Sequence, residues 1–256
     1  MTTVLVVEHE SNAGVGLVGE RIRAAGAALD VVGPEAGRDI PLTADGYNGV
    51  VVLGGTPGPT DDVTAEWLPR VRTLIAHCLD TEVPFLGICL GAELLAVVAN
   101  GVVGPVRNGA EVGLTELALT AAAEDDPLLG GLTGQLRALQ WHTLEVHELP
   151  PGVVSLCSSD RCPNQAFRVG ATAWGLQFHL EALAATAEEW AGEDSEDLRS
   201  VGLTGSEVVA RMQEHEVSLR DTWSTVADRW MSLVVSAADQ LAEPASEVLN
   251  SHARRS

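Results

Sequence analysis

The sequence predicts an α/β fold: an open, mostly parallel sheet with helices on both faces, a small antiparallel element and a C-terminal helical extension. Three observations carry that expectation. Through the first hundred residues, short apolar runs alternate with helix-length amphipathic runs, as in strands buried on both faces. After residue 100, short strand-like runs separated by turn residues replace that pattern. From about residue 192 the chain turns acidic and then carries a helical period.

Taken in order, residues 2–8 read as a buried strand and 14–26 as a helix with Val15, Val18, Ile22 and Ala25 inward. Leu29 to Val32 is a second strand. Gly49 to Leu53 is a third, and it runs into the turn Gly54-Gly55-Thr56-Pro57-Gly58-Pro59. Asp61 or Asp62 is positioned to cap a helix over 64–80, with Trp67, Val71, Leu74 and Ile75 facing inward. Phe85 to Ile88 is the fourth strand and 90–99 the helix after it. Beyond lie short strands at 102–103, 115–119, 136–139, 153–157, 165–169 and 173–178, with Pro150-Pro151-Gly152 as one of the turns. Residues 182–191 read as a helix and 193–197 as an acidic linker or cap. Two helices follow, 205–214 and 216–241, whose apolar stripe is Val217, Leu219, Trp223, Val226, Trp230, Leu233 and Val234. The last dozen residues are polar and expected to fray. The organisation expected is a domain over 1–191 and an acidic helical extension over 192–256. That extension is expected to pack on its own domain; a dimer or partner surface is the alternative.

Composition narrows the chemistry. A net charge of −21 argues against a nucleic-acid partner, which needs a basic face. No run of about 18 apolar residues is present, so no membrane span is expected. Residue 3 already enters the first strand, with no signal-peptide pattern before it. The four cysteines, Cys78, Cys89, Cys157 and Cys162, show neither a disulfide framework nor zinc spacing, so a reducing cytoplasm is the expected compartment. No set of His, Cys and carboxylate residues has metal-ligand spacing, and no cofactor is expected. All fifteen basic residues are arginine, which excludes Schiff-base, pyridoxal-phosphate and P-loop lysines. Gly14-Val15-Gly16-Leu17-Val18-Gly19 superficially matches a dinucleotide fingerprint, but the acidic residue about 20 positions on has only weak candidates.

Two segments carry candidate catalysis. In Val83-Pro84-Phe85-Leu86-Gly87-Ile88-Cys89-Leu90-Gly91-Ala92-Glu93-Leu94-Leu95-Ala96 an apolar strand meets a helix with Cys89 at the apex, and Gly87 and Gly91 leave room for a tight elbow. The helix N-terminus there is expected to favour thiolate. In Gly175-Leu176-Gln177-Phe178-His179-Leu180-Glu181 a strand ends in His-x-Glu, so that Glu181 and His179 share a face and His179 can meet Cys89. These parts spell a Cys-His-Glu nucleophilic triad. The N–H groups of Leu90 and Gly55 are the expected oxyanion hole. His9 either hydrogen-bonds in the core or lines the cleft; His77 and His147 are read as surface or helix residues.

These pieces, with Trp141-His142 and Asn164-Gln165-Ala166-Phe167-Arg168, resemble the class I (triad-type) glutamine amidotransferases of the stand-alone, GMP-synthase-like kind, across residues 2–190. The resemblance implies a flavodoxin-like sheet and explains the early glycines as helix packing. It implies that Cys89 attacks the side-chain amide of glutamine, that His179 moves protons and that Glu181 holds the imidazole. A γ-glutamyl thioester then hydrolyses to glutamate. Gly54, Glu93, Trp141 and His142 fall at substrate-binding positions. The ammonia implies an ATP-dependent synthetase on another chain as partner; an oligomer is left open. The chain departs from the family in having Glu93 where Gln is usual, Leu144 where Asp is frequent, and Leu180 where Pro is commoner. Two alternatives therefore stand beside the first reading: a γ-glutamyl hydrolase acting on a γ-glutamyl amine conjugate, and a non-catalytic binding module.

Overall fold

The computed structural model describes residues 1–193 and 195–242. The expected frayed terminus lies outside the described residues. In chain order the elements are β1 (Thr3–Val7), α1 (Gly16–Ala24), β2 (Ala28–Val32), β3 (Gly49–Val52), α2 (Leu68–Thr81), β4 (Phe85–Ile88) and α3 (Leu90–Val98). There follow β5 (Val102–Pro105), β6 (Glu111–Leu119), β7 (Leu136–His142), β8 (Leu144–Glu148), β9 (Val154–Ser158), β10 (Ala166–Val169) and β11 (Ala173–Leu176). Three helices, α4 (Ala184–Glu193), α5 (Ser195–Ser200) and α6 (Gly205–Ala242), end the described chain.

Nine strands form one sheet in the order β2-β1-β3-β4-β11-β10-β9-β6-β7. The first five run parallel, from β2 through β11. The rest pair antiparallel. A separate antiparallel pair joins β5 to β8. The central strands β3, β4 and β11 are buried along their whole length, as apolar runs covered on both faces must be. Two apolar cores result, one on each side of the sheet. The first gathers Val4, Val6, Ile88 and Leu176 with α1, α4 and α6. The second gathers Leu5, Val7, Val50 and Phe85 with α2 and α3.

Several local expectations are corrected. The 64–80 helix begins only at Leu68, with Pro69 in its first turn and no side-chain cap. Asp61 instead accepts from the Gly58 N–H at 2.8 Å, which folds the Gly54–Pro59 turn back on itself. β8 had no counterpart in the sequence reading, because its polar residues hid the period. Residues 195–200 are helical rather than linker. The expected pair of tail helices is one 38-residue helix, α6. Val217 is 77 % exposed and leaves the apolar stripe, whereas Trp223, Val226, Trp230 and Val234 are buried.

The way α6 packs positions the site. Its buried face lies against α4, α1 and the β6–β7 edge. The Trp223 N–H donates to the Arg137 carbonyl at 3.0 Å, and its ring lies 4.8 Å from that of Phe178. Arg229 donates to the carbonyls of Leu128 and Gly130. The Arg21–Asp228 pair that joins α1 to α6 is part-exposed and contributes little beside the buried tryptophans. Among the described residues, no helix is long and apolar enough to cross a membrane.

Candidate active site

At the end of β4 the chain turns through Cys89, whose φ of 50° and ψ of −109° lie outside the regions that L-residues favour. Such a backbone costs about 1–3 kcal/mol and persists only where its surroundings hold it. Here the Cys89 N–H donates to the Leu176 carbonyl at 2.8 Å, and the Cys89 carbonyl accepts from Ala92 and Glu93 at 2.9 and 3.0 Å. The flanking glycines are required by space. A Cβ on Gly91 would strike the Val52 carbonyl, and one on Gly87 would lie 2.5 Å from the Gly91 carbonyl oxygen.

The expected His-x-Glu strand is shorter than the sequence suggested. β11 stops at Leu176, and residues 177–181 turn away from the sheet. Extended geometry survives at one point, where His179 bridges Leu139 and donates its N–H to that carbonyl at 2.9 Å. The Glu181 carbonyl accepts the Leu17 N–H at 2.9 Å, which ties the turn to the start of α1. Between these anchors, His179 Nδ1 and Glu181 Oε1 lie 2.7 Å apart, both residues buried. Nδ1–H donates to the carboxylate, so the Nε2 lone pair faces the other way; that atom is buried without a partner. A Cβ placed on Gly54 would sit 3.1 Å from His179 Cε1 and 3.9 Å from Cys89 Sγ. The sulfur and the imidazole thus flank one point above a residue with no side chain. Trp190 of α4 packs edge-on against the His179 ring at 4.7 Å and donates its N–H to the Asn12 carbonyl.

Burial overturns the expectation of a resting thiolate. It pushes the Cys89 thiol well above its ordinary value, and the charges of Glu93 and Glu181 push the same way. The Leu90 N–H, hydrogen-bonded to the sulfur, opposes them without prevailing. Glu93 is itself buried, and desolvation raises its carboxyl to about 7, against a lowering by Gln177 and by the nearby His142 and His179. Its Oε1 accepts from Gln177 Nε2 at 3.0 Å, while Gln177 Oε1 is buried with no partner.

A cavity of about 330 Å³ opens over these groups, within the size range of small-molecule sites. Cys89, Glu93, Trp141, His142, His179 and Gly55 all line it, so the fold brings together most of the residues singled out from the sequence. Gly54 and Leu90 lie just beneath, Leu90 with its N–H on the Cys89 sulfur. Leu144 is on the wall, and neighbouring Glu145 is buried elsewhere, beside Arg107 and His147. Gly55 sits where a Cβ would meet His9 Cβ at 2.9 Å and Leu90 Cδ2 at 3.2 Å. His9 therefore supports the loop from behind: its Nδ1 accepts from Trp67 Nε1 at 2.9 Å, and burial lowers its pKa to about 4. His77 and His147 lie apart from the cavity, on α2 and β8.

Sequence reasoning gave no role to Trp190, Gln177 or Glu10. Glu10 grips the Gly54–Pro59 turn by accepting from the Thr56 N–H at 2.7 Å. None of the three carries a spacing signal, because each acts across elements distant in the chain. Among the described residues, Glu111, His142 and Cys162 form a group whose donor atoms converge behind the cavity wall.

A parallel sheet with a strained cysteine elbow, opposite a His–Glu pair at the carboxyl ends of the strands, defines an α/β protein with the parts of a cysteine-type amide hydrolase. Comparison with known proteins gives the particular family. The profile of the glutamine amidotransferase class-I family matches residues 15–190, and the chain belongs to that family. It is 35 % identical over 144 residues to a glutamine-hydrolyzing GMP synthase subunit of Haloarcula marismortui, a match covering 55 % of this chain and 66 % of the relative. The corresponding subunit of Thermococcus kodakarensis is 37 % identical over 109 residues, covering 42 % and 56 %. The chain thus spans between half and two thirds of the length of these two curated relatives. Among solved structures, a glutamine amidotransferase of Thermotoga maritima superposes with a TM-score of 0.80 at 27 % identity, over 90 % of this chain and 97 % of that one. One from Methylobacillus flagellatus shares the fold, with a TM-score of 0.82.

Proposed function

We propose that this protein hydrolyses the side-chain amide of glutamine to glutamate and ammonia, and that the ammonia serves a separate synthetase. The observation that carries the reading is the convergence of Cys89 and His179 on one point over Gly54, with Glu181 behind the imidazole. In this mechanism substrate binding brings the carbonyl carbon to the Cys89 sulfur. His179 Nε2 takes the thiol proton as the C–S bond forms, and the imidazolium is held by Glu181. The carbonyl oxygen, now negative, is received by the N–H groups of Leu90 and Gly55. His179 returns the proton to the leaving nitrogen, ammonia departs and a γ-glutamyl thioester remains. Water, activated by the same imidazole, releases glutamate. A thiol that rests protonated suits this sequence, because His179 then receives its proton only when substrate is in place.

Glu93, whose carboxyl is held at about 7 by burial, gives up its proton as it receives the substrate's α-ammonium, with Leu144 at the wall position where the family frequently has Asp. A synthetase partner is supported by the relatives, which are named as subunits of a glutamine-hydrolyzing GMP synthase. The purified chain is expected to turn glutamine into glutamate, and Cys89→Ala is expected to abolish this with the fold intact. Full activity in that variant ends the reading.

A second reading has its own observation. Leu144, Trp141 and Trp190 make part of the cavity apolar, which suits a γ-glutamyl amine with an apolar leaving group. Rates on glutamine and on γ-glutamyl alkylamines separate the two; a clear preference for glutamine removes the conjugate hydrolase. A non-catalytic module predicts no labelling of Cys89 by a glutamine-like electrophile.

A further inference from the structure

We propose that Glu111, His142 and Cys162, with the Glu145 carboxylate close by, bind a divalent transition-metal ion of the zinc type behind the wall of the active-site cavity. The donors come from β6, from the end of β7 and from the loop between β9 and β10, so no sequence spacing announces them. The atoms offered by Glu111, His142 and Cys162 lie within 4.8 Å of one another, and all three residues are buried. His142 Nε2 and Glu111 Oε2 are 3.4 Å apart, near the edge of a tetrahedral zinc site. Cys162 lies beside both Glu111 and Glu145, the latter 1 % exposed.

The orientation of His142 is the decisive feature. Its Nδ1 lies 2.7 Å from the Leu144 carbonyl, which only accepts, so Nδ1 carries the hydrogen. That leaves Nε2 facing Glu111 Oε2 and, at 3.1 Å, Gln140 Oε1. Turning the Gln140 amide relieves one of these contacts and not the other. A positive charge between imidazole and carboxylate resolves both, either a second proton or a metal ion. Two further observations favour the ion. Glu111 Oε1 and Glu145 Oε2 are buried with no hydrogen-bond partner. The carboxylates are also braced from outside, Glu111 by Gln165 Nε2 at 2.7 Å and Glu145 by the Arg107 N–H at 3.3 Å, with His147 Nε2 also 3.3 Å away. An imidazole fixed by a carbonyl and carboxylates fixed by donors are the usual outer supports of a metal site.

One imidazole, one thiolate and one carboxylate, with a second carboxylate close by, suit zinc, and the sulfur disfavours magnesium and calcium. Binding requires Cys162 to release its proton to solvent, so affinity rises with pH. The thiol lies under a short loop whose residues Asp160, Arg161 and Pro163 are exposed, so the site is close to the surface.

The test is metal binding by the full chain, read without any activity. Cobalt(II) added to metal-free protein is expected to bind with one-to-one stoichiometry and give a thiolate-to-cobalt charge-transfer band. The band persists in Cys89→Ser and disappears in Cys162→Ser. Glu111→Gln weakens binding about tenfold or more. Should Cys162→Ser fail to fold, zinc protection of Cys162 from alkylation in the unaltered protein, mapped by mass spectrometry, replaces it. Cobalt or zinc that binds without the band, or without protecting Cys162, resides on the acidic surface and overturns the proposal.

Discussion

Replacing Glu93 by Gln is expected to stabilise the protein, by an amount that depends on pH. Burial raises the Glu93 carboxyl from 4.5 to about 7 in the folded chain. The unfolded chain loses that proton near 4.5, so between these values the folded state holds a proton that the unfolded state does not. Stability therefore falls as pH rises across this window, by about 1.4 kcal/mol per unit, and levels off above about pH 7. The accumulated cost is about 3 kcal/mol. Glutamine carries none of it, because it has no proton to lose. Denaturant unfolding of both proteins at several pH values is the assay. The variant's advantage is expected at about 3 kcal/mol near pH 8.5 and at roughly half of that or less near pH 5.5. In melting temperature the larger value corresponds to about 6–12 °C for a chain of this size. A difference that stays constant with pH, or a variant less stable in mild alkali, refutes the assignment of a titrating acid to this position.

Other outcomes follow from the same geometry. Glu181→Gln is expected to lower kcat for glutamine by roughly 10²–10⁴-fold with KM little changed, since the imidazole loses its orienting charge; steady-state kinetics read the split. Gly54→Ala places a methyl 3.1 Å from His179 Cε1, and kcat is expected to fall about tenfold or more while the melting curve moves little. Trp223→Ala removes a fully buried ring and is expected to cost about 3–5 kcal/mol in unfolding experiments. It also slows labelling of Cys89 by a glutamine-like electrophile, because Phe178 loses its support next to His179.

Much of this was legible in the chain because the physics involved is local. Gly-x-Cys-x-Gly between an apolar strand and a helix announces an elbow, for only that geometry needs two bare positions so near a side chain. His179 and Glu181 were readable as a pair because extended backbone puts alternate residues on one side. The length of their strand was not, since β11 yields at Leu176 to a turn held by Leu139 and Leu17. The protonation of Cys89 was misjudged. Helix polarity is visible in sequence, whereas the burial that raises the thiol most, and the carboxylates from α3 and from beyond β11 that add to it, exist only once the chain is folded. Trp190 and His9 act by packing, which leaves no period to read. The donors behind His142 converge only once the antiparallel strands are in register.

The contact between Phe178 and Trp223 has a consequence for engineering the chain. The last long helix touches the residue immediately before the site's histidine, so trimming the protein to the boundaries of its family match would strip the backing from that histidine. A shortened version made for crystallisation or fusion is therefore expected to lose turnover before it loses solubility, and linkers are better attached after residue 242 than near 190.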